Sequence, residues 1–318
     1  ISPMFMQATL SYTLAAILVS ASAAATVERV ESHEWLVGDA PIIKVETFHG
    51  SIRVESATSG RVELDLVTQA SGDRAEKWLD RISVQANPFG AGLVVRVKQS
   101  GWGVEFGGGE GEFRDVDLVL RVPVRCNLDL KSDSGDIEVA DDIEGNMRAR
   151  VSRGDIYFGR VIGSVTAETR SGDLIVARTT GNLNARSHLG DLRIGTVMGW
   201  ADLRADHGNI DVMNSFGGLS AESVKGDIKA SMSRRVSADS RLKASVGDVW
   251  VDVDPESALH IAATTSWGEV HSAFNFGATE GETTASRLKG SLNGGGPLLS
   301  LQASGGDVKI YSVNTYGM

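Results

Sequence analysis

The amino-acid sequence predicts an all-β fold: a parallel β-solenoid with about 18 residues and two strands per coil, preceded by an irregular β-rich N-terminal cap with one short helix. Ten glycines supply the first observation. From Gly145 they return at Gly154, Gly163, Gly172, Gly181, Gly190, Gly199, Gly208, Gly217 and Gly226, every ninth residue without a slip, and so strict a spacing marks a repeating structure. The second observation is the apolar pattern after each glycine. Two and four residues on, the side chain is apolar, as at Ile156/Phe158, Leu174/Val176, Leu192/Ile194 and Ile210/Val212, with a mostly polar residue between; this is strand alternation with one face buried. The third is that alternate glycines differ. Gly154, Gly172, Gly190, Gly208 and Gly226 precede Asp155, Asp173, Asp191, Asn209 and Asp227, whereas the others precede Asn146, Ser164, Asn182, Trp200 and Gly218. The true period is therefore eighteen, and each coil has two unlike edges.

Coils of this kind stack at roughly 4.8 Å, each strand pairing in parallel with its counterpart in the next coil. Glycine suits the reversals because a turn so tight asks for positive φ or close backbone approach. A helical reading fails: the apolar spacing is two, and each interior glycine would cost a helix about 1 kcal/mol. Composition agrees. A hydrophobic content of 42% supports a substantial core, and 37 glycines against 6 prolines point to many turns rather than disorder. Aromatic residues make up only 6%, as suits a thin interior filled by Val, Ile, Leu and Ala. With 41 acidic and 31 basic residues, a net charge of −10 and no Lys/Arg-rich run, nucleic acid is set aside as a partner.

Taken in order, residues 1–25 carry no charge and hold an apolar run from Leu10 to Val19 followed by Ser20-Ala21-Ser22-Ala23-Ala24-Ala25. That pattern reads as a secretory signal cleaved after Ala23 or Ala25, with Met4 and Met6 as candidate starts. The run is shorter than the roughly 20 residues a spanning helix needs, so no stable membrane span is expected after cleavage. The mature chain is expected to be exported, to the periplasm or to the cell surface or extracellular space. Residues 26–130 form the irregular part and cap. Ile42–Glu46, Ser51–Glu55, Val62–Thr68, Ile82–Gln85, Leu93–Lys98, Val116–Val122 and Leu128–Leu130 alternate as strands do. Ser71 to Leu79 offers a capping residue and then a short helix, and Phe106–Glu112 reads as a mobile loop. Thr47-Phe48-His49-Gly50-Ser51-Ile52-Arg53-Val54 already has the glycine-then-alternation form, so this half holds early, imperfect coils that also cover an end, as an exposed terminal strand invites edge-to-edge association.

Residues 131–312 are the regular solenoid, opening at Ser134-Gly135-Asp136-Ile137-Glu138-Val139. After Gly226 the steps to Gly247-Asp248 and Gly268-Glu269 lengthen to twenty-one residues. About three extra residues per coil must therefore bulge at a turn, at Ser233-Arg234-Arg235 and Asp252-Val253-Asp254-Pro255. Asn275–Gly296 departs from the coil, Pro297 to Ile310 makes a last coil ending in Gly305-Gly306-Asp307-Val308, and 313–318 is a C-terminal tail. Cys126 can form no internal disulfide and stands without metal or redox spacing, so it reads as a small buried hydrophobe.

The recurring Ser-Gly-Asp-Ile/Leu at 134–137 and 171–174, its variants at 153–156, 189–192, 225–228 and 246–249, and the Gly-Gly-Gly-Pro-Leu-Leu that leads to Gly-Gly-Asp-Val resemble an exported bacterial domain-of-unknown-function family of putative adhesins. That family is related to the head domain of putative auto-transporter adhesins. The resemblance covers about 27–312 and implies a right-handed solenoid at the cell envelope with no known catalytic residues.

Several constellations could carry chemistry. Asp136, Asp155, Asp173, Asp191, Asn209, Asp227, Asp248, Glu269 and Asp307 come directly after the glycine at one edge, so neighbouring carboxylates fall about 5 Å apart and repel by roughly 0.8 kcal/mol in water. A row of Ca²⁺ sites on Asp136, Asp155, Asp173, Asp191, Asp227 and Asp248 is one reading. Against it, one acid per turn leaves a hard cation short of its 6–8 oxygens; in the other reading each Asp accepts from turn amides and is screened by solvent or by Arg153, His207 and Lys225. Arg153-Gly154-Asp155 spells an integrin-type tripeptide, but only as one instance of the repeated motif. The outward row of the Gly-Asp face runs Glu138, Tyr157, Ile175, Arg193, Asp211, Lys229, Trp250. Of these, Tyr157, Ile175, Arg193, Lys229 and Trp250 form a candidate binding face for a cell-surface glycan or an envelope protein. The alternative is a polysaccharide lyase or hydrolase on the same scaffold, which needs paired carboxylates in an outward cleft. The six histidines, His33, His49, His188, His207, His260 and His271, are scattered without metal-ligand spacing. No cofactor and no catalytic residue is assigned.

Overall fold

The computed structural model describes residues 18–19, 26–58, 60–72, 75–100, 114–233, 236–275 and 283–313. The cleavage positions after Ala23 and Ala25, the loop Phe106–Glu112, Arg234 and Arg235, and the tail from 314 onward lie outside the described residues. Two compact units divide the chain, 1–153 and 154–318.

In the first unit the strands are β1 (Leu18–Val19), β2 (Thr26–Leu36), β3 (Ile42–Thr47), β4 (Ile52–Ala57), β5 (Arg61–Ser71), β6 (Ile82–Phe89), β7 (Gly92–Gln99), β8 (Arg114–Pro123), β9 (Asn127–Ser132), β10 (Ile137–Val139), β11 (Ile143–Glu144) and β12 (Met147–Arg153). Helix α1 (Ala75–Leu79) comes after β5 and buries Trp78 and Leu79. One sheet pairs β1, β2, β5 and β8 antiparallel, then β8, β4 and β10 in parallel. The other pairs β6 antiparallel with β7, then β7, β3, β9 and β12 in parallel. Thr47 to Val54 makes the expected glycine turn, with Gly50 at φ +99°. Its coil, β3 with β4, nevertheless does not lie at an end. It sits between β7/β8 and β9/β10, so a later segment covers its outer edge and antiparallel strands seal that segment in turn, as protection of a sheet edge requires. Cys126 is buried, and burial pushes its thiol up to about 12.

The second unit holds β13 (Ile156–Ile162), β14 (Val165–Ser171), β15 (Leu174–Thr179), β16 (Leu183–Leu189), β17 (Leu192–Val197), β18 (Ala201–His207), β19 (Ile210–Ser215), β20 (Leu219–Lys225), β21 (Ile228–Met232), β22 (Ser240–Val246), β23 (Val249–Val253), β24 (Leu259–Thr265), β25 (Val270–Ser272), β26 (Thr283–Thr284), β27 (Arg287–Leu292), β28 (Leu298–Ala303) and β29 (Val308–Ser312). Odd-numbered strands β13 to β23 pair in parallel in one sheet, even-numbered β14 to β22 in the other. The register is the eighteen-residue one read from the glycines, for example Leu174↔Leu192 and Ile194↔Val212. Between the sheets run stacked apolar rows. Ile156, Leu174, Leu192, Ile210, Ile228 and Val249 form one of them, each at most 1% exposed.

The added residues of the longer coils fall at the connections: 233–239 joins β21 to β22 and 254–258 joins β23 to β24. Residues 283–292 leave the coil as expected, β27 lying antiparallel on β24 and β26 on β27. The last coil departs from sequential winding. β28 inserts between β22 and β24, and β29 between β23 and β25, so Gly268 stacks on Gly306 rather than on Gly247. Among the described residues no helix is long and apolar enough to cross a membrane.

Candidate functional site

The two edges of the second unit use glycine for different reasons. Gly190 has φ +142°, and a Cβ built on it would stand 2.0 Å from the carbonyl oxygen of Gly172. At the opposite edge Gly181 has no positive φ, yet its Cβ would meet the Gly163 carbonyl at 2.6 Å. The first edge demands an unusual backbone as well as space; the second demands space alone.

Space for a Cβ is absent at both edges because the coils stack at the spacing of parallel strands; at the Gly-Asp edge side chains also tie successive turns together. Asp155 Oδ1 accepts from the backbone N–H of Asp173 (2.7 Å), Asp173 from Asp191 (2.9 Å), Asp191 from Asn209 (2.9 Å), Asn209 from Asp227 (2.8 Å) and Asp227 from Asp248 (2.8 Å). The series continues from Asp248 to Asp307 (2.8 Å) and from Asp307 to Glu269 (3.0 Å). One side-chain oxygen of each acceptor in this series is thereby committed to an amide. Cations reach the ladder as well: Arg193 reaches Asp173 (2.7 Å) and Asp191 (2.9 Å), and Lys309 reaches Asp248 (2.8 Å) and Asp307 (3.4 Å). Burial opposes ionisation of Asp248, but hydrogen bonds from Lys309, the Asp307 amide and Trp250 outweigh it and hold its carboxyl below the ordinary range. The Glu269 amide does the same for Asp307. Among the described residues no group of three or more His, Cys, Asp or Glu side chains could hold a metal ion. Asp136 belongs to the first unit.

The candidate binding residues of the second unit fall in one outward row. The pairing runs Tyr157↔Ile175↔Arg193↔Asp211↔Lys229↔Trp250 and continues to Lys309 and His271. Tyr157 and Trp250 are each 36% exposed. The Trp250 indole lies under Lys309, whose Nζ is 5.3 Å from the ring centre, and its Nε1 donates to Asp248.

Several groupings escaped the sequence. The histidines are not all scattered: His188 and His207 meet edge to face with ring centres 6.0 Å apart, and His188 Nδ1 lies 2.7 Å from Asp206. That hydrogen bond holds the Asp206 carboxyl below its ordinary range. Their spacing of nineteen, one more than the period, was the available signal. Ile162 at the end of β13, and Met198 and Trp200 between β17 and β18, are exposed. In the first unit, outward side chains of β4, β5, β8 and β10 enclose a pocket of about 400 Å³ lined by Ser51, Arg53, Val67, Asp117, Val119, Asp136 and Glu138. Arg53 is paired with Glu138 at 2.8 Å. Burial, and then the neighbouring Asp115, push the Asp117 carboxyl upward.

A family model described as Toastrack DUF4097 matches residues 43–311. No curated protein matches the chain. Among solved structures, it is similar to a putative lipid binding protein from Parabacteroides distasonis ATCC 8503, at 14% identity and TM-score 0.50, over 90% of this chain and 97% of that one. A putative adhesin from Bacteroides fragilis NCTC 9343 aligns at 15% identity and TM-score 0.41, over 89% and 97%. A putative adhesin from Parabacteroides merdae ATCC 43184 aligns at 9% identity and TM-score 0.34, over 90% and 96%.

Proposed function

We propose, from the premise that the chain belongs to the Toastrack DUF4097 family, that it is a non-catalytic, exported cell-envelope protein that binds a surface glycan or envelope protein through the outer face of its coils. The family is the one of putative adhesins that its Ser-Gly-Asp repeat resembles. The observation that carries the reading is the collinear row from Tyr157 to Trp250. Five coil steps of about 4.8 Å separate the two aromatics by roughly 24 Å, with Ile175, Arg193, Asp211 and Lys229 between them. Rings at both ends offer apolar contact area, and the alternating charges between them offer hydrogen bonds to hydroxyl or peptide groups. Strands hydrogen-bonded on both sides hold the row rigid, so little conformational freedom is lost on binding.

The test is a binding screen of the mature chain against glycans and envelope proteins, repeated with Tyr157→Ala and Trp250→Ala. Each substitution is expected to weaken the ligand found by at least about tenfold, the effect of losing a well-packed aromatic contact. A ligand retained at full affinity by both variants would remove the row from the binding surface. Cell fractionation that left the chain in the cytoplasm would refute export.

The second reading, a carbohydrate-processing enzyme, is favoured by the pocket of the first unit, which Asp117, Asp136 and Glu138 line together and where burial and Asp115 push the Asp117 carboxyl upward. Glycoside hydrolysis uses two carboxyl groups in one cleft, with the acid the one whose surroundings raise its pKa. Release of reducing sugar from envelope polysaccharides, abolished in Asp117→Asn, would establish it; no release from any of them would end it.

A further inference from the structure

The last coil is wedged between two coils that precede it in the chain. β28 pairs with β22 on one side and β24 on the other, and β29 with β23 and β25. Its turn is held on both sides as well: the Asp307 amide donates to Asp248, and the Glu269 amide to Asp307. The chain enters this slot by a short bridge. β27 lies on one side of β24 and β28 on the other, so residues 293–297 must cross the end of β24. The crossing is tight: a Cβ on Gly296 would stand 2.2 Å from the Ala258 carbonyl oxygen, and Asn293, Gly294 and Gly295 have φ of +51°, +83° and +81°. Asn293 is pinned there by its Nδ2, which donates to the carbonyls of Pro255 and Ser257.

We propose that the slot also takes the last coil of a second copy of this chain, so that two copies exchange residues 297–312 and close a dimer. Every pairing that the coil makes within its own chain is available unchanged in the slot of the other copy. The exchange adds one difference, at the bridge, where the left-handed backbone at 293–295 and the close passage at Gly296 are released when the segment extends. Short, tight hinges beside a complete insertable element are the arrangement that favours exchange. The slot is open only before it is filled, so exchange occurs during folding, at high protein concentration, and persists afterwards because leaving requires breaking both ladders. This self-association is independent of the binding reading.

The test uses full chains carrying Cys126→Ala, refolded from denaturant at about 100 µM. Arg241 and Ser300 are direct partners across β22 and β28. One chain carries Arg241→Cys and the other Ser300→Cys, and the two are refolded as a mixture and oxidised. Light scattering is expected to show a dimer, and up to half of the dimers are expected to be disulfide-linked. Chains refolding only as monomers would overturn the proposal. So would dimers that never link in the mixture although the double variant closes its own link. Deleting Gly294 and Gly295 leaves a bridge too short to cross β24 and is expected to raise the ratio of dimer to monomer at least tenfold; an unchanged ratio would overturn it equally.

Discussion

Thr169, Ser187 and Ser223 occupy the same inward position of their coils, with Ala205 taking it in the coil between Ser187 and Ser223; they are at most 3% exposed and donate their hydroxyls to the carbonyls of Gly154, Gly172 and Gly208. Each bond satisfies an acceptor at the sharp glycine turn that the strand ladders leave available. Ser187→Ala is expected to lower stability by about 1 kcal/mol, the net worth of such a bond, measured by urea unfolding. Ser215 is the contrast: its Oγ is buried without a partner among the described residues, so Ser215→Ala is expected to leave the melting temperature unchanged or raise it. These hydroxyls were legible in principle. The period-two alternation of Leu183, Ala185 and Ser187 already turns Ser187 inward, and a polar residue on the buried parity is a hydrogen-bond prediction. Which carbonyl it would meet depends on the turn, and no spacing discloses that. Cys126 was readable because an apolar environment sufficed.

At the scale of the turn and its strands, the Gly-Asp edge combines a left-handed glycine with an acid that ties one coil to the next. Gly190→Ala is expected to cost at least about 2 kcal/mol, since the new methyl finds both a disfavoured φ and a carbonyl in its place; thermal unfolding reads it. The acids make the fold sensitive to pH in a definite direction. Asp248 and Asp307 have carboxyls held below their ordinary range, so their contribution is complete above about pH 4, the ordinary carboxylate value, and is lost as pH falls through the lower folded values. Melting temperatures tracked from pH 6 to pH 2 should fall steeply below pH 4, and less steeply in Asp248→Asn. The ladder itself could be placed from the sequence because Gly-Asp recurs at a fixed interval. Its cations could not. Arg193 lies on the row just past the turn and reaches back to Asp173 and Asp191, a diagonal set by side-chain length rather than by the repeat, and Lys309 arrives from a coil whose position the repeat does not determine.

Over the molecule as a whole, the period was legible and the order of coils was not. Between Gly154 and Gly226 an unbroken interval leaves one way to stack. Where the intervals lengthen to twenty-one and a long excursion intervenes, several stackings satisfy the same alternation, and the observed one is selected by which edge must be covered. β3/β4 within the first unit and β28/β29 within the second are both enclosed by segments distant in the chain. The regular stretch should therefore tolerate whole-coil editing. Removing residues 173–190 joins Gly172 to Asp191 and preserves every register, so the product is expected to unfold cooperatively with a modest loss of stability. Removing only nine, 173–181, puts a Gly-Asn turn where a Gly-Asp turn belongs and is expected to give no cooperative transition in circular dichroism. The wedged last coil sets where such editing can occur. A ribbon wound strictly in order could be extended at its tip by appending more of the same, whereas here the tip is built by an earlier segment and locked by the final one. Reach can then be gained or lost only in the interior, which acts as an adjustable ruler, while the closing segments travel with the fold as a fixed end-piece.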